Sequence, residues 1–423
     1  MSKITEKLKL IFSDESLRKR ILFVFGILAL SRLLAIIPIP GIDAMRLQSL
    51  FAGSEFLNLI NIFSGGGLSN LSIIMLGVGP YISASIIMQL MTVMIPKLKA
   101  MYQEEGEAGR RRFAQYSRLL TIPLAIVQGY AFIKLLQGQG VLPPLSLDIL
   151  IVDILVIVAG SILLMWLGEL ITEFGIGNGV SLIIFAGIVS QLPTTVSQLI
   201  FTFDVSQLPI YLVGLVVALI VIFGVVVVTE AERPIPITYA KQVRGERTYG
   251  GLSTYLPLRV NQAGVIPIIF ALSILLFPQM IFQFLSQSAV TMVASVSDFI
   301  LSLLTNNWFY TSAYFVLVVL FTYFYTAVTF DPDSISTNLQ KSGAFISGVR
   351  PGEATAEYIS RIITRLTLVG ALFLGVIAIL PLVLRSLTGI QALAIGGTAL
   401  LIVVSVVIDL IKKIDAQVSA REY

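Results

Sequence analysis

The chain carries neither histidine nor cysteine. That removes Ser-His nucleophilic catalysis, zinc hydrolysis of the HExxH type, thiolate metal sites and disulfides. Carboxylates remain, but they do not pair within the apolar stretches. Asp153 stands near the start of one such stretch and Asp409 near the inner end of another. Neither has an acidic partner that would form a mid-bilayer proton relay. The Gly175-Ile176-Gly177-Asn178-Gly179 run lacks the strand-turn-helix setting of a nucleotide loop and reads as a short turn. What could act is non-covalent: basic clusters, a glycine-rich break and runs of small residues. No enzymatic reaction is expected from this set.

The elements that must position these residues are membrane helices. Hydrophobic residues make up 56% of the 423 residues and charged residues only 12%. A soluble domain carries about 25% charged residues. Apolar runs of about 20 residues, enough to cross the hydrocarbon as a helix, fall at 21–37, 72–95, 119–136, 149–168, 180–200, 208–228, 263–284, 309–328, 362–384 and 392–411. Lipid cannot satisfy bare backbone groups, so each must be helical.

The sidedness follows from charge. All but four of the 28 Lys and Arg residues fall on one side of this scheme. The exceptions are Arg32, Arg46, Lys134 and Arg385, and Arg32 sits where it can snorkel to the outer interface. The asymmetry places both termini in the cytoplasm and requires an even number of spans. The interval 169–179 carries Glu169 and Glu173 but no basic residue, so it is silent. The basic N-terminal stretch followed by an apolar run also fits a cleaved signal peptide. The length of the run and its ending in Pro38-Ile39-Pro40-Gly41 favour a retained span.

Three stretches stand out. In 51–71, Phe56, Leu59, Ile60 and Phe63 have helical apolar spacing, but the run is too short to span and stops at Ser64-Gly65-Gly66-Gly67. It fits a re-entrant half-helix on a glycine hinge or an interfacial helix equally well. Gly77-Val78-Gly79-Pro80-Tyr81 opens the second span with small residues suited to close helix packing. The basic residues of 110–112 and 241–247 suit topology, anionic lipid or a negatively charged partner. The long connection 329–360, with Arg350 among Gly348, Pro351 and Gly352, is longer than a simple link needs.

These stretches coincide with signatures of a known family. IPIPGID (37–43), FSGGGLS (63–69), GPYISASII (79–87), EGEAGRR (105–111), LMWLGELITEFGIGNG (164–179), STYLPLRVNQAGVIP (253–267), SGAFISGVRPGEATAEYI (342–359) and TRLTLVGAL (364–372) closely resemble the SecY family of the bacterial Sec translocon. The resemblance covers nearly the whole chain.

It implies an all-α polytopic fold of ten transmembrane helices. They form two pseudo-symmetric inverted halves, 1–205 and 206–423, around an hourglass pore. Large cytoplasmic loops are expected at 229–260 and 329–360. Residues 55–66 would be a plug, with Phe56, Asn58, Ile60 and Phe63 in its body and Ser64, Gly65, Gly66 and Gly67 at its hinge. The apolar pore ring maps to Val78, Ile82, Val180, Ile184, Ile269 and Ile402. All six are aliphatic, and the spacing within the first two pairs puts each pair on one helical face. Ser85, Gln89, Asn261 and Gln262 would line a lateral gate.

Lys241, Arg244, Arg247 and Arg350 would dock the SecA motor or the ribosome. Glu246 stands where many relatives have a basic residue, which implies weaker contact with ribosomal RNA. The implied partners are SecE, SecG, SecA, the ribosome, preproteins with their signal peptides, and lipid. The implied place is the bacterial plasma membrane, and no cofactor is implied. The competing functions are an ion-coupled secondary transporter of a small solute and an intramembrane protease. The first lacks mid-bilayer charge, and the second lacks histidine and a GxGD motif.

Overall fold

The computed structural model describes residues 14–39, 61, 64, 66–68, 71–138, 142–143, 145–201, 208–239, 242–244, 247–249, 253–286, 290–388 and 396–419. The helices are α1 (Glu15–Leu34), α2 (Gly79–Met94), α3 (Pro96–Gln103), α4 (Gly106–Gly138), α5 (Leu147–Phe174), α6 (Gly179–Phe201), α7 (Leu208–Glu230), α8 (Ile266–Leu285), α9 (Thr291–Thr305), α10 (Asn307–Thr329), α11 (Pro332–Lys341), α12 (Glu353–Thr388) and α13 (Gly396–Ser419). Five strands are also present: β1 (Glu232–Tyr239), β2 (Gln242–Arg244), β3 (Arg247–Tyr249), β4 (Ser253–Arg259) and β5 (Ala344–Ile346).

Every expected span contains a helix. Among the described residues, α4, α5, α7, α10 and α12 alone are long and apolar enough to cross a membrane. α2 and α3 would make a further span together, but they bend by 112°. The bend falls at Ile95, extended at φ −116° and ψ 104°, followed by Pro96 at the first position of α3. Large side chains such as Leu212, Val216, Leu219 and Phe223 of α7 are exposed. Lipid is the solvent for such a surface.

The described residues fall into two compact units. The first comprises Met1–Pro209, Ser273–Tyr310 and Ile402–Tyr423. In it α5 is the hub, in contact with α1, α2, α4 and α6. Small residues let it approach them. A Cβ on Gly179 would run into the Gly168 carbonyl, and one on Gly168 would lie 3.1 Å from Val180 Cγ2. The turn between α5 and α6 is built from the glycine-rich run. Gly177 takes φ +94°, and Thr172 Oγ1 accepts the Gly179 N–H at 2.9 Å. Arg118 Nε meets Glu169 Oε1 at 2.5 Å, joining α4 to the end of α5. At the start of α1, the Asp14 carboxylate accepts the Ser16 and Leu17 N–H groups.

The second unit comprises Ile210–Leu272 and Thr311–Leu401. The two connections expected as loops are substantially folded. β1 pairs antiparallel with β4, Glu232 facing Arg259 and Ile235 facing Leu256, and with β5, Ile237 facing Ile346. Pro234 and Pro236 lie where β1 has only one neighbour, which a residue lacking its N–H tolerates. Ile235, Leu258 and Ile346 pack with Ile359, Ile362 and Ile363 of α12 in one buried cluster. β2 and β3 form a separate hairpin, Arg244 paired with Arg247. α12 runs on past its apolar part. At 36 residues it is about 54 Å long, well beyond the roughly 30 Å hydrocarbon. Its first turns therefore belong to the connection 329–360. The class remains all-α, with these small sheets confined to the connections.

Candidate functional site

The residues expected to form the ring lie at the starts of helices. Val78 caps α2, and its carbonyl accepts the Ile82 N–H at 3.0 Å. The two side chains are thus stacked one turn apart. Val180 and Ile184 stand one turn apart at the start of α6. Ile269 lies in the first turn of α8, and Ile402 in the second turn of α13. Val180 is half-buried and the other five are buried. Val78, Ile82, Val180, Ile184 and Ile402 fall in the first unit and Ile269 in the second.

The approach to α2 is where the structure departs most from expectation. The apolar run predicts helix from 72, but helix begins only at Gly79. Residues 71–78 run in successive turns and are largely buried, with Leu71 at φ +43° and Gly77 at φ +59°. Non-helical backbone at membrane depth is tolerated where protein surrounds it. Here α5 supplies the surroundings. Ser161 Oγ donates to the Gly77 carbonyl at 2.8 Å. Gly160 leaves no room for a Cβ against the Ile73 carbonyl. Ile39 and Ile73 complete the layer through exchanged backbone bonds, Ile39 N–H to Leu71 at 2.9 Å and Ile73 N–H to Ile37 at 3.0 Å. Sequence reasoning passes over Gly160 and Ser161. Their signal, a Gly-Ser pair inside an otherwise Val/Ile/Leu-rich helix, is faint.

Of the expected plug and hinge, Phe56, Asn58, Ile60, Phe63 and Gly65 lie outside the described residues. Ser64, Gly66 and Gly67 form a bonded turn. Ser64 Oγ donates to the Asn61 carbonyl at 3.1 Å and accepts the Leu68 N–H at 3.0 Å. Gly66 has φ +85°, and a Cβ there would lie 3.2 Å from Gln191 Nε2 of α6. The Gly67 carbonyl accepts both the N–H and the hydroxyl of Ser72 at 2.9 Å. These glycines therefore serve a left-handed turn and close packing. Arg32, expected to snorkel, donates through Nη1 to Ser190 Oγ of α6 at 3.3 Å.

Ser85 and Gln89 lie on α2, both half-buried, and Gln89 Oε1 is buried with no hydrogen-bond partner among the described residues. Asn261 is buried and Gln262 half-buried, just before α8. Asn261 Nδ2 donates to the Gly264 carbonyl at 3.2 Å, while its Oδ1 has no partner among the described residues. Of the expected docking cations, Lys241 lies outside the described residues. Arg244 and Arg247 sit on the β2–β3 hairpin. Arg350 is exposed at the turn before α12, where Thr355 Oγ1 donates to its carbonyl at 2.9 Å. Among the described residues no group of acidic side chains could hold a metal.

The SecY family model matches residues 72–411. Curated relatives match end to end. The chain is 43% identical to the protein translocase subunit SecY of Mycobacterium bovis over 427 residues, 96% of each. It is 43% identical to that of Corynebacterium glutamicum over 438 residues, 97% of each. The Streptomyces coelicolor protein of the same name is 39% identical over 97% of each. Among solved structures, one of a protein-conducting channel aligns with a TM-score of 0.63 at 22% identity, covering 93% of this chain and 91% of the other. Sec61 from a canine ribosome-channel complex of the endoplasmic reticulum aligns with a TM-score of 0.59 at 20% identity, with the same coverage. At such identity the structures speak for the fold, that of the ten-helix membrane channels. Taken with the end-to-end likeness to the curated relatives, the matched family model makes this chain a member of the SecY family.

Proposed function

We propose that this chain is the central, channel-forming subunit of a Sec translocon. It passes unfolded preproteins across the bacterial plasma membrane and releases signal sequences and membrane helices sideways into it. The observation that carries the reading is the end-to-end relationship to protein translocase subunits named SecY. The family assignment does not favour a solute transporter, and the curated relatives are named as translocase subunits, not as enzymes.

The ring assigned to Val78, Ile82, Val180, Ile184, Ile269 and Ile402 supplies the seal. Aliphatic side chains cannot replace an ion's hydration shell, and a narrow apolar neck tends to dewet. An extended polypeptide of any sequence fills the same neck without binding tightly. The 55–66 segment is the plug, and the two five-helix halves divide near 205. Ser85, Gln89, Asn261 and Gln262 mark the lateral gate. The incompletely bonded amides of Gln89 and Asn261 suit a seam that is remade whenever an apolar helix of about 20 residues leaves for lipid. SecE and SecG accompany the chain, and SecA or the ribosome docks on Lys241, Arg244, Arg247 and Arg350. Both termini face the cytoplasm, as the Lys and Arg asymmetry supports.

The absence of native cysteine makes the test direct. Ile184→Cys is expected to crosslink to an export substrate stalled in transit. Leu219→Cys, on the exposed face of α7, should not. Equal labelling at both positions, or none at 184, would sink the pore assignment.

A further inference from the structure

The connection between α8 and α10 contains a helix that neither spans a membrane nor belongs to the pore, plug, gate or docking residues. α9 has 15 residues, about 22 Å, too short for the roughly 30 Å hydrocarbon. Its surface divides into three sectors, each about a third of a turn wide. Met292, Val296, Phe299 and Leu303 recur at helical spacing, and they are 77%, 50%, 64% and 37% exposed. Beside them runs an exposed polar stripe of Ser295, Asp298, Ser302 and Thr305. Val293, Ser297 and Leu304 fill the third sector, where Ser297 is buried and donates to the Val293 carbonyl at 2.7 Å. A helix buried on one side, polar on the second and apolar yet uncovered on the third meets three environments at once: protein, water and a further apolar phase.

The chain just beyond α9 indicates that phase. One residue, Asn306, separates it from the membrane-spanning α10. Asn306 is extended at ψ 117°, so α9 is not a straight continuation of α10. Its side chain accepts the Trp308 N–H at 3.1 Å, starting the new helix. Trp308 is 83% exposed, and Phe309 is exposed beside it. Large amphipathic rings at the mouth of a span mark the headgroup level. No Lys or Arg occurs between Arg259 and Lys341. Attraction to anionic headgroups therefore cannot hold the segment.

We propose that α9 is an in-plane anchor: its Met292–Val296–Phe299–Leu303 stripe lies in the boundary between headgroups and acyl chains of the bilayer, moored by Trp308. The occupant of the stripe is lipid, held by apolar burial and without preference for anionic headgroups. The inference rests on α10 crossing the membrane.

The test uses the whole chain, in complex with its partner subunits, carrying one cysteine at a time. Phe299→Cys, Asp298→Cys and, as a span control, Leu320→Cys are labelled with an environment-sensitive fluorophore. The complex is reconstituted in phosphatidylcholine vesicles with and without phosphatidylglycerol. Nitroxide-bearing lipid is expected to quench the 299 label at least about threefold more than the 298 label, as an in-plane helix requires. Aqueous iodide should show the reverse order, and phosphatidylglycerol should change neither. Iodide access at 299 equal to that at 298 would overturn the proposal. So would shielding of 299 from both quenchers, which would mean a protein covers the stripe, or dependence on phosphatidylglycerol. Failure of the 320 label to respond to nitroxide lipid would instead remove the membrane placement of α10 itself.

Discussion

The hydroxyl of Ser161, in the middle of α5, donates a 2.8 Å hydrogen bond to the backbone carbonyl of Gly77. The carbonyl belongs to the turn that sets Val78, so a packing helix fixes the backbone from which a residue assigned to the pore ring projects.

Ser161→Ala leaves that buried carbonyl without its partner, at a cost of about 1–3 kcal/mol. Gly160→Ala is expected to cost more, because the Ile73 carbonyl occupies the space of the new methyl and backbone must move. Thermal unfolding of the purified complex should show both losses, in that order. Planar-bilayer recordings should show raised resting conductance for Ser161→Ala. A variant that melts like the parent and stays electrically silent would mean the bond does not position Val78.

In the turn assigned to the plug hinge, Gly66 holds φ +85°. Alanine there pays about 1–2 kcal/mol for the left-handed backbone, and its Cβ meets Gln191 at 3.2 Å. Gly66→Ala should therefore raise resting ion leak, with deletion of 55–66 raising it further. Gln191→Ala in the same background should recover part of the loss by clearing the contact. Unchanged conductance after the deletion would count against the plug.

The helices were legible because lipid imposes a single rule on them: a long apolar run must be helical. That rule found a helix within every expected span, but it misplaced the start of α2. Residues 71–78 are as apolar as a helix, and the side-chain room and bond that α5 gives their turns come from Gly160 and Ser161, over eighty residues away. The sheets of the second unit were hidden for a different reason. β1 lies in the stretch 229–260 expected as a loop, where Pro234 and Pro236 argue against a strand unless one side is open. The aliphatic residues assigned to the ring were proposed only through family motifs, because Val and Ile in a membrane helix carry no signal of their own.

The Arg118–Glu169 pair joins α4 to α5 at 2.5 Å, but Arg118 is nearly half exposed. Solvent screening limits it to about 0.5–1 kcal/mol. Arg118→Glu should lower the melting temperature by more than Arg118→Ala does, since it adds repulsion with Glu169. Combining it with Glu169→Arg should restore most of the difference, and high salt should shrink every step. If the double exchange is no better than either single change, the contact is packing and not charge.

Arg350 projects from a turn pinned by two helices. Thr355 Oγ1 of α12 donates to the Arg350 carbonyl at 2.9 Å, and Ser336 Oγ of α11 donates to the Gly352 carbonyl at 2.6 Å. If Arg350 docks the motor, the presentation of its side chain depends on both bonds. Thr355→Val keeps the volume and deletes one bond, worth about 1 kcal/mol, or roughly a fivefold shift in how often the turn is correctly formed. SecA-driven export should fall severalfold, and further with Ser336→Ala added. Resting conductance should not change, because neither hydroxyl bonds to a residue assigned to the seal. Arg350→Glu should abolish the coupling outright and make the Thr355 change silent in its background. An additive loss in that double variant would show that Thr355 supports export by some route other than holding Arg350.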